Sequence, residues 1–267
     1  MKTLCIDTSG PAVIALVDGR ETLAEAVEPN ARRHAESLGL LLSETLEALD
    51  LSDLPSAGVD RVCVGVGPGP FTGLRAGIVF ASTLGRGLGV PVLGIGSLEA
   101  LARQALDDIE AERATSEVSS LKIPNRQARD KVRSGQQGDG ACVLVVTDAK
   151  RREVYWGIYE AKGADDVRTV SGPNVGPVAD ALMVAIDEGV DAVAGPQEIL
   201  ASLQTVLEED LREVRGFGEM ALVPQDVNPA VFPRIVDACA EDEFPLTPLY
   251  LRRPDIHGQP VQEMPAD

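Results

Sequence analysis

The order of strand-like and helix-like segments is the feature that most constrains the fold of this chain. Near its start, three short apolar runs are joined by turn-forming residues, which predicts an antiparallel meander. Helix-like and strand-like segments then alternate, and the continuous apolar run at 59–66 is typical of a strand buried on both faces. The order is therefore βββαβαβα. The predicted elements are strands at 3–6, 12–17, 21–27, 59–66 and 91–95 and helices at 32–49, 72–87 and 97–106.

The second half of the chain repeats this order of elements. The predicted strands are at 141–146, 154–159, 167–170 and 190–194, and the predicted helices are at 178–187 and 196–209. Two βββαβα units predict an α/β protein of two lobes with a cleft between them. The two halves barely resemble each other in sequence, so the repeat is one of pattern alone.

The chain is expected to divide into a first lobe at 1–106 and a second lobe at 141–227. Residues 107–140 between them are rich in charge, Ser, Gln and Gly, which favours a flexible insertion over a partner-docking segment that folds on contact. A helix and an extended stretch within 228–253 are expected to return to the first lobe. Residues 254–267 are expected to form a disordered tail.

The charge balance narrows the class of partner. With 24 Lys+Arg against 42 Asp+Glu, the chain has a formal net charge of −18, which would repel a phosphate backbone. We therefore expect no direct binding of nucleic acid, although a basic protein partner could supply it. The 4 cysteines are far apart and form no CxxC pair, so neither disulfides nor a zinc cluster are predicted. No apolar run reaches the length of a membrane span, and we expect a soluble, cytoplasmic protein.

The most distinctive stretch is GVGPGPFTGLR at 65–75, a strand end followed by a Gly/Pro loop and a helix with Thr72 as the predicted N-cap. A helix N-terminus can bind an anion. The stretch is nevertheless a poor phosphate loop, because Pro70 stands where GxGxxG needs glycine and the lysine of GxxxxGK[ST] is absent. The pattern alone favours a stiff turn that leads into a helix.

The helix after this loop carries small residues every four positions, which places them in one stripe. The stripe either packs on the protein's own sheet or contacts another chain, and we favour the second because Leu40 lies off the apolar face of the preceding helix. The predicted interface residues are His34, Leu38, Leu40, Leu42, Gly73, Arg75, Gly77, Ala81 and Gly85.

The cleft carries few groups suited to a ligand. The turn after the first strand could bind phosphate or a metal-bound water, but the equivalent turn at 148–152 offers bulky side chains where a nucleotide needs close backbone approach. No cofactor is therefore predicted. The degenerate cleft residues are Asp7, Thr8, Ser9, Gly10 and Asp148.

Histidine limits the possible chemistry further. The chain has only His34, near the start of the first helix, and His257, in the predicted tail, so a two-histidine metal site is not expected. A Ser/His/Asp hydrolase is not supported either, because no GxSxG motif is present. We predict no catalytic residue and no metal site.

The run 65–77 resembles the GPGSFTGLRIG motif of the bacterial TsaB (YeaZ) family, with Pro70 in place of the usual serine. Residues 148–155 match the family's DARRGEVY stretch and residues 250–252 its closing YLR. Further similar segments lie at 4–9, 33–36 and 91–101. The resemblance covers most of the chain, but not the tail, and 107–140 is longer than the family leads us to expect.

The resemblance implies an actin-like ATPase (ASKHA) fold of two lobes. It also implies a non-catalytic paralogue of TsaD, the enzyme that forms N6-threonylcarbamoyladenosine (t6A) on ANN-decoding tRNAs. In the family, TsaB pairs with TsaD through helices of its N-terminal lobe, and the P-loop ATPase TsaE joins the pair. A homodimer in isolation is also implied. The alternatives are a stand-alone actin-like ATPase or kinase, or a peptidase.

Overall fold

The computed structural model describes residues 1–29, 34–115, 140–209, 220–239 and 244–252. Most of the predicted insertion and the whole predicted tail lie outside these residues. The strands are β1 (Lys2–Asp7), β2 (Ala12–Asp18), β3 (Glu21–Glu28), β4 (Arg61–Gly67), β5 (Val92–Gly96), β6 (Cys142–Asp148), β7 (Glu153–Lys162), β8 (Asp166–Pro177), β9 (Ala192–Gly195) and β10 (Ala221–Pro224). The α-helices are α1 (His34–Glu47), α2 (Phe71–Leu88), α3 (Ser97–Thr115), α4 (Val178–Glu188), α5 (Gln197–Glu209) and α6 (Phe232–Ala238).

The first sheet has the strand order β3-β2-β1-β4-β5. Strands β1, β2 and β3 form the predicted antiparallel meander, with Cys5 opposite Ala15. Strand β4 then pairs in parallel with β1 and places Cys63 beside Cys5, and β5 pairs in parallel with β4. Parallel neighbours need a crossover, which helices α1 and α2 provide.

The second sheet repeats this topology strand for strand, in the order β10-β9-β6-β7-β8. Strands β6, β7 and β8 form the meander, β9 pairs in parallel with β6, and β10 pairs in parallel with β9. The duplication predicted from the pattern is therefore confirmed. Strand β10 was not predicted, because its four residues are largely exposed and carry no buried apolar pattern.

Helices cover both faces of both sheets, and the alternation of side chains along the strands sets the layers. In β1, Leu4 and Ile6 face α1 and α2, whereas Cys5 faces the opposite layer, which contains α3 and α6. In β6, Leu144 faces α4 and α5, whereas Val143 faces α3. One apolar core therefore joins the two sheets through α3, and each sheet has a further core on its outer side.

Helix α3 is longer than predicted. The sequence indicated an end at Leu106, but the helix continues to Thr115 and therefore takes in the start of the predicted insertion. Ile109 is buried beyond the predicted end, and Asp107 of the same stretch forms an ion pair with Arg234 of α6. These charges, which look like loop composition in the sequence, are contacts of a helix.

Arg103 is fully buried at the centre of α3. Its guanidinium pairs with Asp107 and Glu110 of the same helix at 3.0 and 3.3 Å. It also donates hydrogen bonds to the backbone carbonyls of Gly163 and Asp166, both at 3.3 Å. These carbonyls belong to the β7–β8 turn, so a single buried charge connects the central helix to the second sheet.

Arg103→Met is expected to lower the free energy of unfolding by about 1–3 kcal/mol, because the carbonyls of Gly163 and Asp166 lose their buried hydrogen-bond donor. Arg20→Gln is the matched control, since the Arg20 side chain is 63% exposed where it pairs with Asp165. It should cost less than about 1 kcal/mol. Urea unfolding measures both, and equal losses would contradict the role given to Arg103.

Candidate functional site

The predicted cleft begins at the turn after β1, where Asp7 is buried. One carboxylate oxygen of Asp7 accepts bonds from the Ser9 backbone N–H at 2.7 Å and from the Ser9 hydroxyl at 2.6 Å. The other oxygen accepts a bond from the Ser97 hydroxyl at 2.7 Å. Asp7 therefore fastens the start of α3 to the end of β1, and both of its oxygens are used within the chain.

Three glycines allow the Gly/Pro loop and α2 to pack directly on this turn. A Cβ at Gly65 would lie 1.8 Å from Asp7 Oδ2, and one at Gly69 would lie 2.8 Å from Ser9 Cα. A Cβ at Gly77 would lie 2.4 Å from Thr8 Oγ1, whose hydroxyl donates to the Gly73 carbonyl at 2.9 Å. The glycines of the distinctive motif are thus required by the chain's own packing.

The stripe on α2 faces inward, which corrects the predicted interface. Gly73, Gly77, Ala81 and Gly85 are all buried, and a Cβ at Gly85 would lie 2.2 Å from Val92 Cγ2. Leu38 of α1 is buried as well, and Leu42 is partly buried in the same core. The four-residue spacing identified a shared face correctly but assigned it to the wrong neighbour.

The N-terminus of α2 also differs from the prediction. The helix begins at Phe71 with Pro70 at the N-cap, and no side chain caps it. Thr72, the predicted cap, lies inside the helix and is exposed. Proline fixes the backbone at the entry to the helix without any contribution from a hydroxyl.

The equivalent turn in the second lobe has a different character. Asp148 accepts a bond from the Lys150 backbone N–H at 2.7 Å and forms an ion pair with the Lys150 side chain. Lys150, Arg151 and Arg152 all adopt the left-handed conformation, with φ of 61°, 57° and 62°. Side chains, not glycines, therefore occupy this wall of the cleft, as the sequence indicated.

The outer face of α1 and α2 carries the exposed candidates. These helices pack side by side on the first sheet, and Leu40 is 61% exposed and Val79 65% exposed. Val79 was not predicted. It lies one turn after Arg75, so the two share a face of α2. Helix α1 begins at His34, whose side chain is outside the described part of the chain.

Arg75 anchors an aromatic cluster at the edge of this face. Its guanidinium carbon lies 3.8 Å from the centroid of the Phe71 ring, and its Nε donates to the Tyr250 hydroxyl at 3.1 Å. The rings of Phe71 and Tyr250 have centroids 4.6 Å apart. We refer to Leu40, Val79 and this cluster as the outer face. Arginine and tyrosine, like exposed apolar side chains, are common at protein interfaces.

No group of His, Cys, Asp and Glu in the described ranges has the geometry of a metal site. Among the described helices, none combines the length and the apolar character that crossing a bilayer requires.

Known proteins are similar to this chain in sequence and in fold. The sequence model of the TsaD family, tRNA N6-adenosine threonylcarbamoyltransferase, matches residues 21–115. An uncharacterized protein of Mycobacterium tuberculosis is 38% identical over 256 residues, which cover 94% of this chain and 92% of that protein. The tRNA threonylcarbamoyladenosine biosynthesis protein TsaB of Bacillus subtilis is 26% identical over 176 residues, 66% of this chain and 62% of the relative.

A crystal structure of an uncharacterized Pseudomonas aeruginosa protein, described as similar to peptidase YEAZ, superposes with a TM-score of 0.60 at 24% identity. The match covers 94% of this chain and 99% of that one. These findings support the assignment of the chain to the TsaB family. The predicted actin-like fold of two βββαβα lobes is confirmed.

Substitutions in and near the Gly/Pro motif test directly whether its glycines are required for packing. Gly77→Ala is expected to lower the free energy of unfolding by about 1–3 kcal/mol, because the new methyl group overlaps Thr8. In a Thr8→Ala background the same change should cost less, since the overlapping atoms are gone.

Gly87→Ala on the same helix is the matched control, because a Cβ there meets nothing within 4 Å. It should stabilise the protein by about 0.5–1 kcal/mol through helix propensity. Urea unfolding of the four variants measures these differences, and a harmless Gly77→Ala would contradict the packing.

Glu99, in the first turn of α3, is a second acidic group at this end of the core. Burial raises the pKa of Glu99, and the nearby Asp166 carboxylate raises it further, while a backbone hydrogen bond at Gly96 lowers it. The folded chain therefore retains this proton at a higher pH than the unfolded chain does. Its contribution to stability is present below the pKa of the unfolded glutamate, about 4.3, and is lost as pH rises through the raised pKa.

Glu99→Gln is accordingly expected to raise the free energy of unfolding at pH 7. The gain should shrink as pH falls and vanish well below about 4.3, the pKa of the unfolded glutamate, because wild-type Glu99 is then protonated in both states. Urea unfolding across this pH range measures the difference between variant and wild type. A gain that did not change with pH would show that the carboxyl charge is not its cause.

Proposed function

We propose that this chain is a non-catalytic partner of a TsaD-like enzyme in the formation of t6A on ANN-decoding tRNAs, and that it docks through the outer face. The observation that carries the proposal is the contrast between two surfaces. The cleft turn of the first lobe uses Asp7, Thr8 and Ser9 in its own hydrogen bonds, whereas the outer face leaves Leu40 and Val79 exposed. Exposed apolar side chains of this kind mark a surface that another protein can cover.

The comparisons support the reaction class. A relative bears the name of a t6A biosynthesis protein, and the TsaD family model matches the part of the chain that contains α1, α2 and α3. A partner related in fold would have corresponding helices to pack against the outer face. A TsaE-like ATPase is proposed as a third component of a cytoplasmic complex, and the tRNA is proposed to contact the other subunits, because the net charge of −18 disfavours RNA here.

The alternative of a stand-alone ATPase or kinase requires nucleotide in the cleft. In the turn after β1, Asp7 already bonds hydroxyl groups of the chain itself. The turn after β6 carries Lys150, Arg151 and Arg152 where a nucleotide would need close approach to the backbone. The peptidase alternative requires an accessible nucleophile with a base, whereas the hydroxyls bonded to Asp7, those of Ser9 and Ser97, are buried together with it. Calorimetry with ATP and Mg²⁺ distinguishes the first alternative, since micromolar binding by the isolated chain would favour it.

Leu40→Glu and Val79→Glu are expected to weaken the complex with the organism's own TsaD-like protein by at least about tenfold, because a buried unpaired charge is costly at an interface. Size-exclusion chromatography with light scattering measures complex formation. Activity is followed as t6A formed on a tRNA transcript with the TsaD-like and TsaE-like proteins present.

Met183→Glu is the matched control, because Met183 is 45% exposed on α4 of the other lobe. It should leave both complex and activity unchanged. A wild-type chain that forms no complex at micromolar concentration would contradict the proposal, and equal losses in all three variants would contradict the proposed face.

A further inference from the structure

The segment 244–252 crosses from the first lobe, at β4 and β5, to the second lobe, at the β6–β7 turn. On the first lobe, the Gly94 N–H donates to the Phe244 carbonyl at 3.1 Å, and the Leu249 N–H donates to the Val66 carbonyl at 2.8 Å. A Cβ at Gly94 would lie 2.3 Å from the Pro245 carbonyl oxygen, so the segment lies directly on β5. Its backbone is thus fixed to the carboxyl-terminal half of two parallel strands.

Arg252 makes the connection to the second lobe. Its Nη1 donates to the Ala149 carbonyl at 2.8 Å, and its guanidinium forms an ion pair with Glu153. Ala149 and Glu153 are the two ends of the β6–β7 turn and are hydrogen-bonded to each other, with Ala149 N donating to Glu153 O at 3.0 Å. One side chain therefore holds both ends of the turn that forms the second wall of the cleft.

This turn needs external support because its backbone is unfavourable. Lys150, Arg151 and Arg152 lie consecutively in the left-handed region, which costs about 1 kcal/mol or more for each residue that has a side chain. Two-residue hairpin turns of this hand normally use Asn or Gly. The bonds from Arg252 and the Asp148 side chain offset that cost in the folded chain.

The lobes are also tied at the opposite end of the sheets. There the β2–β3 turn meets the β7–β8 turn, and Arg20 pairs with Asp165. Arg234 of α6 pairs with both Asp165 and Asp107, the latter on α3. Charged residues of the two hairpin turns, α6 and the central helix α3 thus form one ion cluster. It lies at the end of the strands opposite to Asp7 and Asp148.

We propose that residues 244–252 form a clasp that fixes the two walls of the cleft to each other. Together with the ion cluster at the opposite end, the clasp prevents the opening and closing about the cleft that a ligand-driven hinge requires. The two lobes therefore move as one rigid body, and the outer face lies on the first of them. This inference concerns the chain by itself and does not depend on the identity of the docking partner.

The test uses Arg252→Gln in the full-length chain, with hydrogen exchange and small-angle X-ray scattering. Arg252→Gln removes the ion pair with Glu153 and leaves the core contacts of Phe244 in place. Amide exchange in residues 149–154 is expected to rise at least about tenfold, because the turn loses its support. Exchange at the Leu249 amide should rise as well. The radius of gyration should increase slightly as the lobes open at the clasp end, because Arg103 and the ion cluster still join them elsewhere.

Arg86→Gln is the matched control, since Arg86 is an exposed arginine in the last turn of α2. It should reproduce wild-type exchange and scattering. Glu153→Gln is the second variant and should loosen the same turn from the opposite side of the ion pair. Unchanged exchange in both variants would overturn the clasp. Faster exchange confined to the turn, with a protected Leu249 amide and unchanged scattering, would also overturn it, because Arg252 would then support only the turn.

Discussion

The buried guanidinium of Arg103 is the interaction on which the two-lobed arrangement depends. Helix α3 lies between the sheets, and its buried alanines and leucines belong to the core that joins them. A charge in that position must be fully paired, and its partners come from α3 itself and from the β7–β8 turn. The turn cannot shift without exposing unpaired donors, and the charge therefore fixes the second sheet relative to the first.

The duplicated topology places the same turn at the end of β1 and of β6, yet the two turns are stabilised in different ways. Asp7 is buried and organises hydroxyl groups from two other segments, with glycines packed against it. Asp148 is half-exposed, and its turn consists of basic residues in a left-handed backbone. A ligand between the lobes would need both turns to offer free donors at close range. One turn has used its groups internally, and the other is covered by bulky side chains.

The sequence predicted the repeat and nearly every strand because apolar periodicity depends on local burial. It could not show which layer α2 faces, since the spacing of Gly73 and Gly77 is the same for a partner as for the Thr8 turn. Nor could it place the end of α3, because Asp107 looks like a loop residue until Arg234, far along the chain, is brought beside it. The cluster of Arg75 with Tyr250 likewise joins residues 175 apart. Long-range pairing of this kind leaves no local signal.

Tyr250 belongs both to the outer face and to the clasp. Its ring stacks on Phe71 and its hydroxyl accepts a bond from Arg75, both on α2, while Arg252 two residues later holds the turn of the second lobe. A partner that covered Arg75 would bury this cluster and strengthen the charge-assisted bond to Tyr250 by excluding water. The same event would restrain the segment that carries Arg252. Docking on one lobe would thereby stiffen the connection to the other without any movement of the cleft, which is the behaviour that a scaffold requires and a hinge does not.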